Sequence, residues 1–312
     1  IQDEKVIRAI PSIGYVHRGL EKLTEKRMEA LNIKIIKITD VEYPHRLLNV
    51  KTPPKKIYVE GDYTLLSKNS IAIVGSRDCT QYGKKYAFDF AKELSKNNIC
   101  VVSGLAMGID AEAHLGALSQ KGSTIAVIGS GFEHIFPEEH TNLYNQIIRC
   151  GGCIVSEYEP SRKADLTTFP QRNRIISGLA MGTLVVEAGY RSGSSITAKY
   201  TIEAQKPLFC IPSNIDSKQG VGTNRLLKQG AILITSPEDI LDFYILPEEQ
   251  EKEIEMPEQY QKIYRYLQYE PININEISRK ANINMQELNS ILSLMEIDGY
   301  VKSMPGNSIC KC

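Results

Sequence analysis

The sequence predicts an α/β protein with a Rossmann-like parallel-sheet core, a small N-terminal helical segment and a C-terminal winged-helix-like domain. Three observations carry that reading. Short β-branched runs recur from Ser70 to about Phe243, most of them separated by amphipathic stretches of helical spacing. The runs are apolar on both faces, as in parallel strands covered by helices on both sides. A glutamate-rich stretch then sets off a last block of short helical patterns.

Taken in order, residues 1–64 read as helix-like segments and a connector. Tyr43-Pro44 and Thr52-Pro53-Pro54 look extended, because proline biases the preceding residue away from helix. Ile10-Pro11-Ser12-Ile13-Gly14 fits the turn of a helix-hairpin-helix that touches DNA phosphates, or equally a plain helix-helix turn. The start, Ile1-Gln2-Asp3-Glu4, has neither an initiator Met nor a signal-peptide pattern, so residues are expected ahead of Ile1.

Residues 65–246 form the expected core. Its strand runs are Ile71-Val74, Ile99-Val102, Thr124-Ile128, Ile154-Val155, Thr183-Val186, Leu208-Ile211 and Ile232-Ile234; Tyr82-Lys96, Ile109-Gln120 and Ile196-Ala204 are among its helices. Ser-Gly-Leu-Ala-Met-Gly occurs at 103–108 and again at 177–182. The first copy follows a strand and the second precedes one, so the registers exclude a duplicated module.

Residues 247–257 read as an acidic linker: Glu248 to Glu258 holds six glutamates against one lysine. Residues 258–312 show three short helical patterns, a strand at Tyr300-Lys302 and a Pro305-Gly306-Asn307 turn, the outline of a winged helix. Its last helix, Met285 to Asp298, carries Glu287, Glu296 and Asp298 without Lys or Arg. Phosphate repels such a helix, so it suits contact with protein better than a DNA groove.

Bulk properties narrow the function. The 312 residues, 42% hydrophobic and 24% charged, suit about two soluble domains. Net charge is zero, so a nucleic-acid site has to be a local patch. No apolar run reaches the roughly 20 residues of a membrane span. Seven scattered cysteines favour a reducing cytoplasm over a disulfide framework. Cys150, Cys153, Cys310 and Cys312 could form a thiolate zinc site, though a Gly-Gly turn and a tail account for them as well. We expect no cofactor.

The motifs gather at the expected strand ends, where ligands bind in such sheets. Gly75-Ser76-Arg77 follows the first run; glycine lets a ligand approach the backbone, helix amides attract anions, and Arg77 offers a planar fork to phosphate. Phe169-Pro170-Gln171-Arg172-Asn173-Arg174 supplies a base-stacking ring, two guanidinium groups and an amide for a base edge. Residues 162–206 carry seven basic against three acidic side chains. Glu187 to Thr197 combines glycines with successive hydroxyls opening a helix, and Lys199 follows in its first turn. Asp110 and His114, four apart, could be a metal or proton-transfer pair, or a helix cap and a histidine bonded to a neighbouring loop. Neither G-x-G-x-x-G after the first run nor G-x-x-x-x-G-K-[ST] occurs, which argues against a dinucleotide dehydrogenase and a P-loop ATPase. No G-x-S-x-G elbow supports a hydrolase.

Val74-Gly-Ser-Arg77, Ser103 through His114, Thr124-Ile-Ala-Val-Ile-Gly129, Phe136-Pro137, Phe169 through Gly178, and Val186-Glu-Ala188 with Ser192-Gly-Ser194 stand in the order seen in the DNA-processing protein A (DprA/Smf) family. Tyr43-Pro44, Pro53-Pro54 and Gly61 match upstream, and the chain resembles that family over roughly residues 40–245. The resemblance implies a cytoplasmic, non-enzymatic protein that binds single-stranded DNA, protects incoming DNA and loads RecA recombinase during natural transformation and recombination. Implied partners are RecA, single-stranded-DNA-binding protein and a second copy of the chain; no membrane is implied. Implied DNA-binding residues are Gly75, Ser76, Arg77, Gly104, Phe169, Arg172, Asn173, Arg174, Ser194 and Lys199. Leu166-Thr167-Thr168 stands where members often have a basic residue, Pro212-Ser213 where Pro-Gly is common, and Phe136 where tyrosine is usual. The alternative is a nucleotide-processing enzyme of the lysine-decarboxylase-like (phosphoribohydrolase) group, with Glu187 as acid/base; its expected Pro-Gly-Gly-x-Gly-Thr turn does not occur.

Overall fold

The structure is a computed structural model that describes residues 32–120, 124–190, 192–244, 257–264, 266–267, 272–281 and 283–311. Contacts divide the chain into two compact units, residues 1–244 and 245–312.

The first unit is built on a nine-stranded sheet. Its strands are β1 (Ile33–Lys37), β2 (Lys56–Gly61), β3 (Ser70–Val74), β4 (Cys100–Ser103), β5 (Thr124–Val127), β6 (Cys153–Ser156), β7 (Gly182–Val185), β8 (Leu208–Cys210) and β9 (Ile232–Leu233), in the order β1-β2-β6-β5-β4-β3-β7-β8-β9. All seven runs read from the sequence are strands, and they pair in parallel. The order reverses between β3 and β7: β4, β5 and β6 build outward on one side of this pair, β8 and β9 on the other. That reversal opens a crevice beyond the carboxyl ends of β3 and β7.

Helices cover both faces, which is why the runs do not alternate. The principal ones are α1 (Gln81–Lys96), α2 (Ile109–Leu118), α3 (Thr141–Arg149), α4 (Thr168–Leu179), α5 (Gly193–Glu203), α6 (Val221–Lys228) and α7 (Pro237–Tyr244). Ile71 and Ile73 of β3 pack with Phe90 and Leu94 of α1 and Ile109 and Ala113 of α2. Ala72 and Val74 of the same strand face Ile175, Ile176 and Leu179 of α4. The two-sided burial predicted from composition is therefore the core itself.

The helix-like segments expected at the N-terminus fall mostly on residues 1–31, outside the described residues, and residues 32–69, read in part as a connector, are built into the sheet. They form β1, β2 and two short 3-10 turns, His45–Asn49 and Tyr63–Ser67. β2 pairs antiparallel with both β1 and β6, extending the core sheet past its parallel edge. These strands do not announce themselves in the sequence because Ile57 and Val59 owe their burial to a sheet edge far along the chain. The proposed hairpin turn at Ile10–Gly14 lies outside the described residues, as does most of the acidic linker.

The second unit, taken by itself, contains α8 (Glu258–Tyr264), β10 (Ile272–Asn273), α9 (Ile274–Ala281), α10 (Met285–Ile297), β11 (Val301–Met304) and β12 (Ser308–Lys311). Its strands form a three-stranded antiparallel sheet, β10-β12-β11, the wing of a winged helix. The acidic side chains of α10 have internal partners. Glu287 closes a cap with Asn284, Glu296 accepts from the Ser303 amide and hydroxyl, and Asp298 accepts from the Tyr260 hydroxyl. Leu294 and Ile297 remain exposed on this helix. No helix among the described residues is long and apolar enough to cross a membrane.

Candidate nucleic-acid interface

A cleft of about 580 Å³ occupies the crevice at the switch point. Three segments meet there: the β3 turn at Gly75–Asp78, the first turns of α4, and the N-terminus of α5. Gly75, Ser76, Arg77, Phe169, Arg172, Asn173 and Ser194 all line it. Gly104 lines an adjoining recess of about 130 Å³ that shares Arg77, Phe169 and Arg172 with the cleft. Arg174 and Lys199 are not among the lining residues.

The β3 turn is held from behind. The Ser76 amide donates to the Glu187 carbonyl at 2.8 Å, and the Ile109 amide donates to the Ser76 carbonyl at 3.2 Å. The space a Cβ on Gly75 would fill is taken by Ile109, 2.5 Å away. Gly75 therefore makes room for α2 on one side while its backbone lines the cleft on the other. Arg77 stands exposed beyond it, its guanidinium carbon 5.5 Å from the centre of the Phe169 ring. Phe136 packs on the same ring at 5.3 Å between centroids.

Anion-binding capacity comes from a different helix than the one immediately following Arg77. The start of α1 is closed by Thr80, whose side chain accepts from the Gly83 amide. Glu187 in turn accepts from the Thr80 amide at 2.8 Å and from its hydroxyl at 2.6 Å. The start of α5 carries no side-chain cap, and Ser192, Gly193 and Ser194 present it to the cleft. Such a helix end offers amides and the positive end of the helix dipole to an anion.

Arg172 is the floor. Only 4% exposed, its Nη1 donates to the Gly104 carbonyl at 2.5 Å and to the Val127 carbonyl, tying together the ends of β4 and β5. Its Nε donates to Asn173 Oδ1 at 3.2 Å, and Asn173 Nδ2 donates to the Gly193 carbonyl, so the amide links α4 to α5. Burial pushes the guanidinium down to about 10, opposed by the Asp110 carboxylate beside it. Burial likewise raises the Asp110 carboxyl, opposed first by Arg172. Asp110 also accepts from the Gly104 amide at 3.1 Å, and a Cβ on Gly104 would strike both Asp110 and Arg172.

The remaining expectations resolve by geometry. Arg174 donates through Nη2 to both carboxylate oxygens of Glu157, at 2.6 and 2.7 Å, instead of reaching the cleft. Lys199 lies in solvent, 3.7 Å from Glu203 one turn on. His114 bonds the Thr124 hydroxyl through Nδ1 at 2.7 Å, and burial lowers its pKa to about 3, so it is neutral at pH 7 and sits as a buried core side chain. No cluster of three or more metal-binding side chains occurs among the described residues; Cys150 is exposed while Cys153 is buried in β6. The Glu187 side chain lines a separate recess with Tyr82 and Asn214. Among the described residues the lining charges are Arg77 and Arg172 against Asp78 and Asp110, with Asp110 held by Arg172. In the sequence Phe136 is one residue of the Phe136-Pro137 motif, and its place beside Phe169 is what marks it as part of the site.

A doubly wound sheet whose switch-point crevice joins an uncapped helix start, an exposed arginine and paired aromatic rings defines a Rossmann-like protein suited to phosphate-bearing, base-bearing ligands. The chain belongs to the DNA recombination-mediator protein A family, which matches residues 34–245, and the DprA winged helix domain matches residues 247–307. It is similar to Protein Smf of Escherichia coli (strain K12), 34% identical over 293 residues, covering 90% of this chain and 78% of that one. It is also similar to DNA processing protein DprA of Bacillus subtilis (strain 168), 41% identical over 69% of this chain and 72% of that one. The X-ray structure of DNA processing protein A from Streptococcus pneumoniae superposes with a TM-score of 0.66 at 34% identity, covering 75% of this chain and 83% of that one. DNA processing protein A from Helicobacter pylori, solved for its single-stranded DNA binding mode, superposes with a TM-score of 0.60 at 32% identity, covering 67% of this chain and 95% of that one.

Proposed function

We propose that this protein binds single-stranded DNA in the switch-point cleft, without turning over a substrate, and serves DNA recombination in the cytoplasm. One observation carries the reading: Arg77, the paired rings of Phe136 and Phe169, and the uncapped start of α5 converge on one open cleft. The single-stranded DNA binding of the Helicobacter pylori relative supports it. In this reading Arg77 and the Ser192–Ser194 amides hold a phosphate, an aromatic ring carries a base, and Gly75, Ser76, Gly104, Arg172 and Asn173 shape the walls. Protection of incoming DNA, loading of RecA, contact with single-stranded-DNA-binding protein and action in natural transformation belong to the same proposal.

Magnitudes favour a homodimer as the working unit. One stacked base contributes roughly 1–3 kcal/mol, whereas a micromolar dissociation constant needs about 8 kcal/mol. With Arg77 the one exposed cation among the described lining residues, a single cleft falls short, and two clefts on one strand gain from effective concentration. Fluorescence anisotropy tests the reading: labelled single-stranded oligonucleotides should bind in preference to duplex, and Arg77→Ala should weaken binding and flatten its salt dependence. Equal binding of duplex, or an unchanged salt slope, rejects it. The nucleotide-processing alternative loses support because Thr80 bonds both oxygens of Glu187 at the start of α1. Release of free base, abolished by Glu187→Gln, would restore it.

A further inference from the structure

Phe169, the ring that the sequence points to, has its surface already divided. The Arg77 guanidinium carbon lies 5.5 Å from its centroid, within cation–π range, and Phe136 packs against it at 5.3 Å with the planes inclined by 47°. A base settling on Phe169 would have to displace one or the other. Phe136 is 51% exposed, so it offers an open face where Phe169 does not.

The space beside Phe136 has the character of a base site. A recess of about 130 Å³ opens between Met107, Phe136, Pro137 and Phe169, with Gly104 and Arg172 behind them. Its walls are mostly apolar side chains, and Met107 is 46% exposed at the edge. A flat, weakly solvated base face gains from such a surface, whereas a sugar-phosphate does not. Phosphate is provided for in the adjoining cleft, where Arg77 faces Ser192, Gly193 and Ser194. Arg77, Phe136, Phe169 and Arg172 border both spaces, so the two subsites are neighbours.

We propose that Phe136 is the base-stacking surface of the site and that Phe169 is a positioning residue, holding Arg77 toward the phosphate and Phe136 toward the base. The occupant is the base of a single-stranded nucleotide whose phosphate lies at Arg77 and the start of α5; this rests on the single-stranded DNA reading of the cleft. Among the described residues the recess presents an aromatic face and no carboxylate, hydroxyl or amide side chain. Its polar groups are the Arg77 and Arg172 guanidinium groups, already engaged with the Phe169 ring and with backbone carbonyls, so stacking carries the contact and tolerates any base.

The chain contains no tryptophan, so Phe136→Trp introduces a sole indole. Saturation with oligo-dT should quench its emission, and an oligonucleotide of abasic sites should not. Phe136→Leu should weaken oligo-dT binding roughly ten-fold, about the contribution of one stacked base, with the salt slope unchanged. Phe169→Leu should instead flatten the salt slope, because Arg77 loses its support. Unquenched emission at saturation, or wild-type affinity in Phe136→Leu, overturns the assignment while leaving the single-stranded DNA reading in place. Failure of the wild type to bind any oligonucleotide overturns both. Phe136 is half exposed, so the folded state should tolerate these changes, and the thermal melt of Phe136→Trp verifies that.

Discussion

Arg172 and Arg174, two residues apart, do different work because two helical residues rotate a side chain through about 200°. Arg172 faces the strand ends and Arg174 faces Glu157. Arg174→Ala should leave the salt slope of oligonucleotide binding unchanged and lower stability by about 2 kcal/mol, since it strands a half-buried carboxylate. A flattened slope would put Arg174 back in the site. His114 sets a pH dependence. Burial lowers its pKa to about 3, whereas the unfolded chain takes up a proton near 6.5. The stabilisation is fully present above pH 6.5 and falls as pH drops toward 3, about 2 kcal/mol being lost between pH 6.5 and 5. Denaturant unfolding at pH 7 and pH 5 should show that loss in the wild type and not in His114→Gln; parallel losses would refute it.

Among the elements, α4 brings Phe169, Arg172 and Asn173 to the site and is fixed at both ends. Asp165 accepts from the Thr167 and Thr168 amides at its start. At its end, the Lys206 ammonium donates to the carbonyls of Ser177, Gly178 and Ala180 at 2.7–2.8 Å. Lys206→Met should cost about 2 kcal/mol by leaving those carbonyls without a donor, seen as a lower denaturant midpoint with faster amide exchange in α4. An unchanged midpoint would mean that water replaces the ammonium at no cost. The β3 turn makes a complementary point. Gly75→Ala places a methyl against Ile109 and should cost about 1–3 kcal/mol of overpacking. The melting temperature would report it even in the absence of DNA.

At the scale of the whole molecule, every residue proposed to touch DNA belongs to the 1–244 unit. Removing residues 245–312 should therefore preserve oligonucleotide affinity. The acidic α10, with Leu294 and Ile297 exposed, fits a protein surface better than a phosphate backbone. Blocking dimerisation should weaken binding of a long oligonucleotide far more than that of one spanning a single cleft, because only the long strand can engage two clefts. Equal weakening for both lengths would reject linked clefts.

Much of this protein was legible before folding. The seven parallel strands could be read because residues buried on both faces leave an unbroken apolar run, a signal that needs no knowledge of neighbours. The glycine, arginine and aromatic motifs were placed at strand ends by the same reasoning. What stayed hidden depended on contacts between distant segments. β1 and β2 were not legible as strands until β6 offered an edge. Gly75 looked open until Ile109 filled its space, and Arg174 looked available until Glu157 met it. Phe136 was one aromatic residue before a proline until the fold laid it on Phe169. Sequence alone determined the seven parallel strands and the main helices between them, because each is written in local periodicity. Tertiary structure decided which side chains were left free for a ligand, because that depends on what else occupies the space around them.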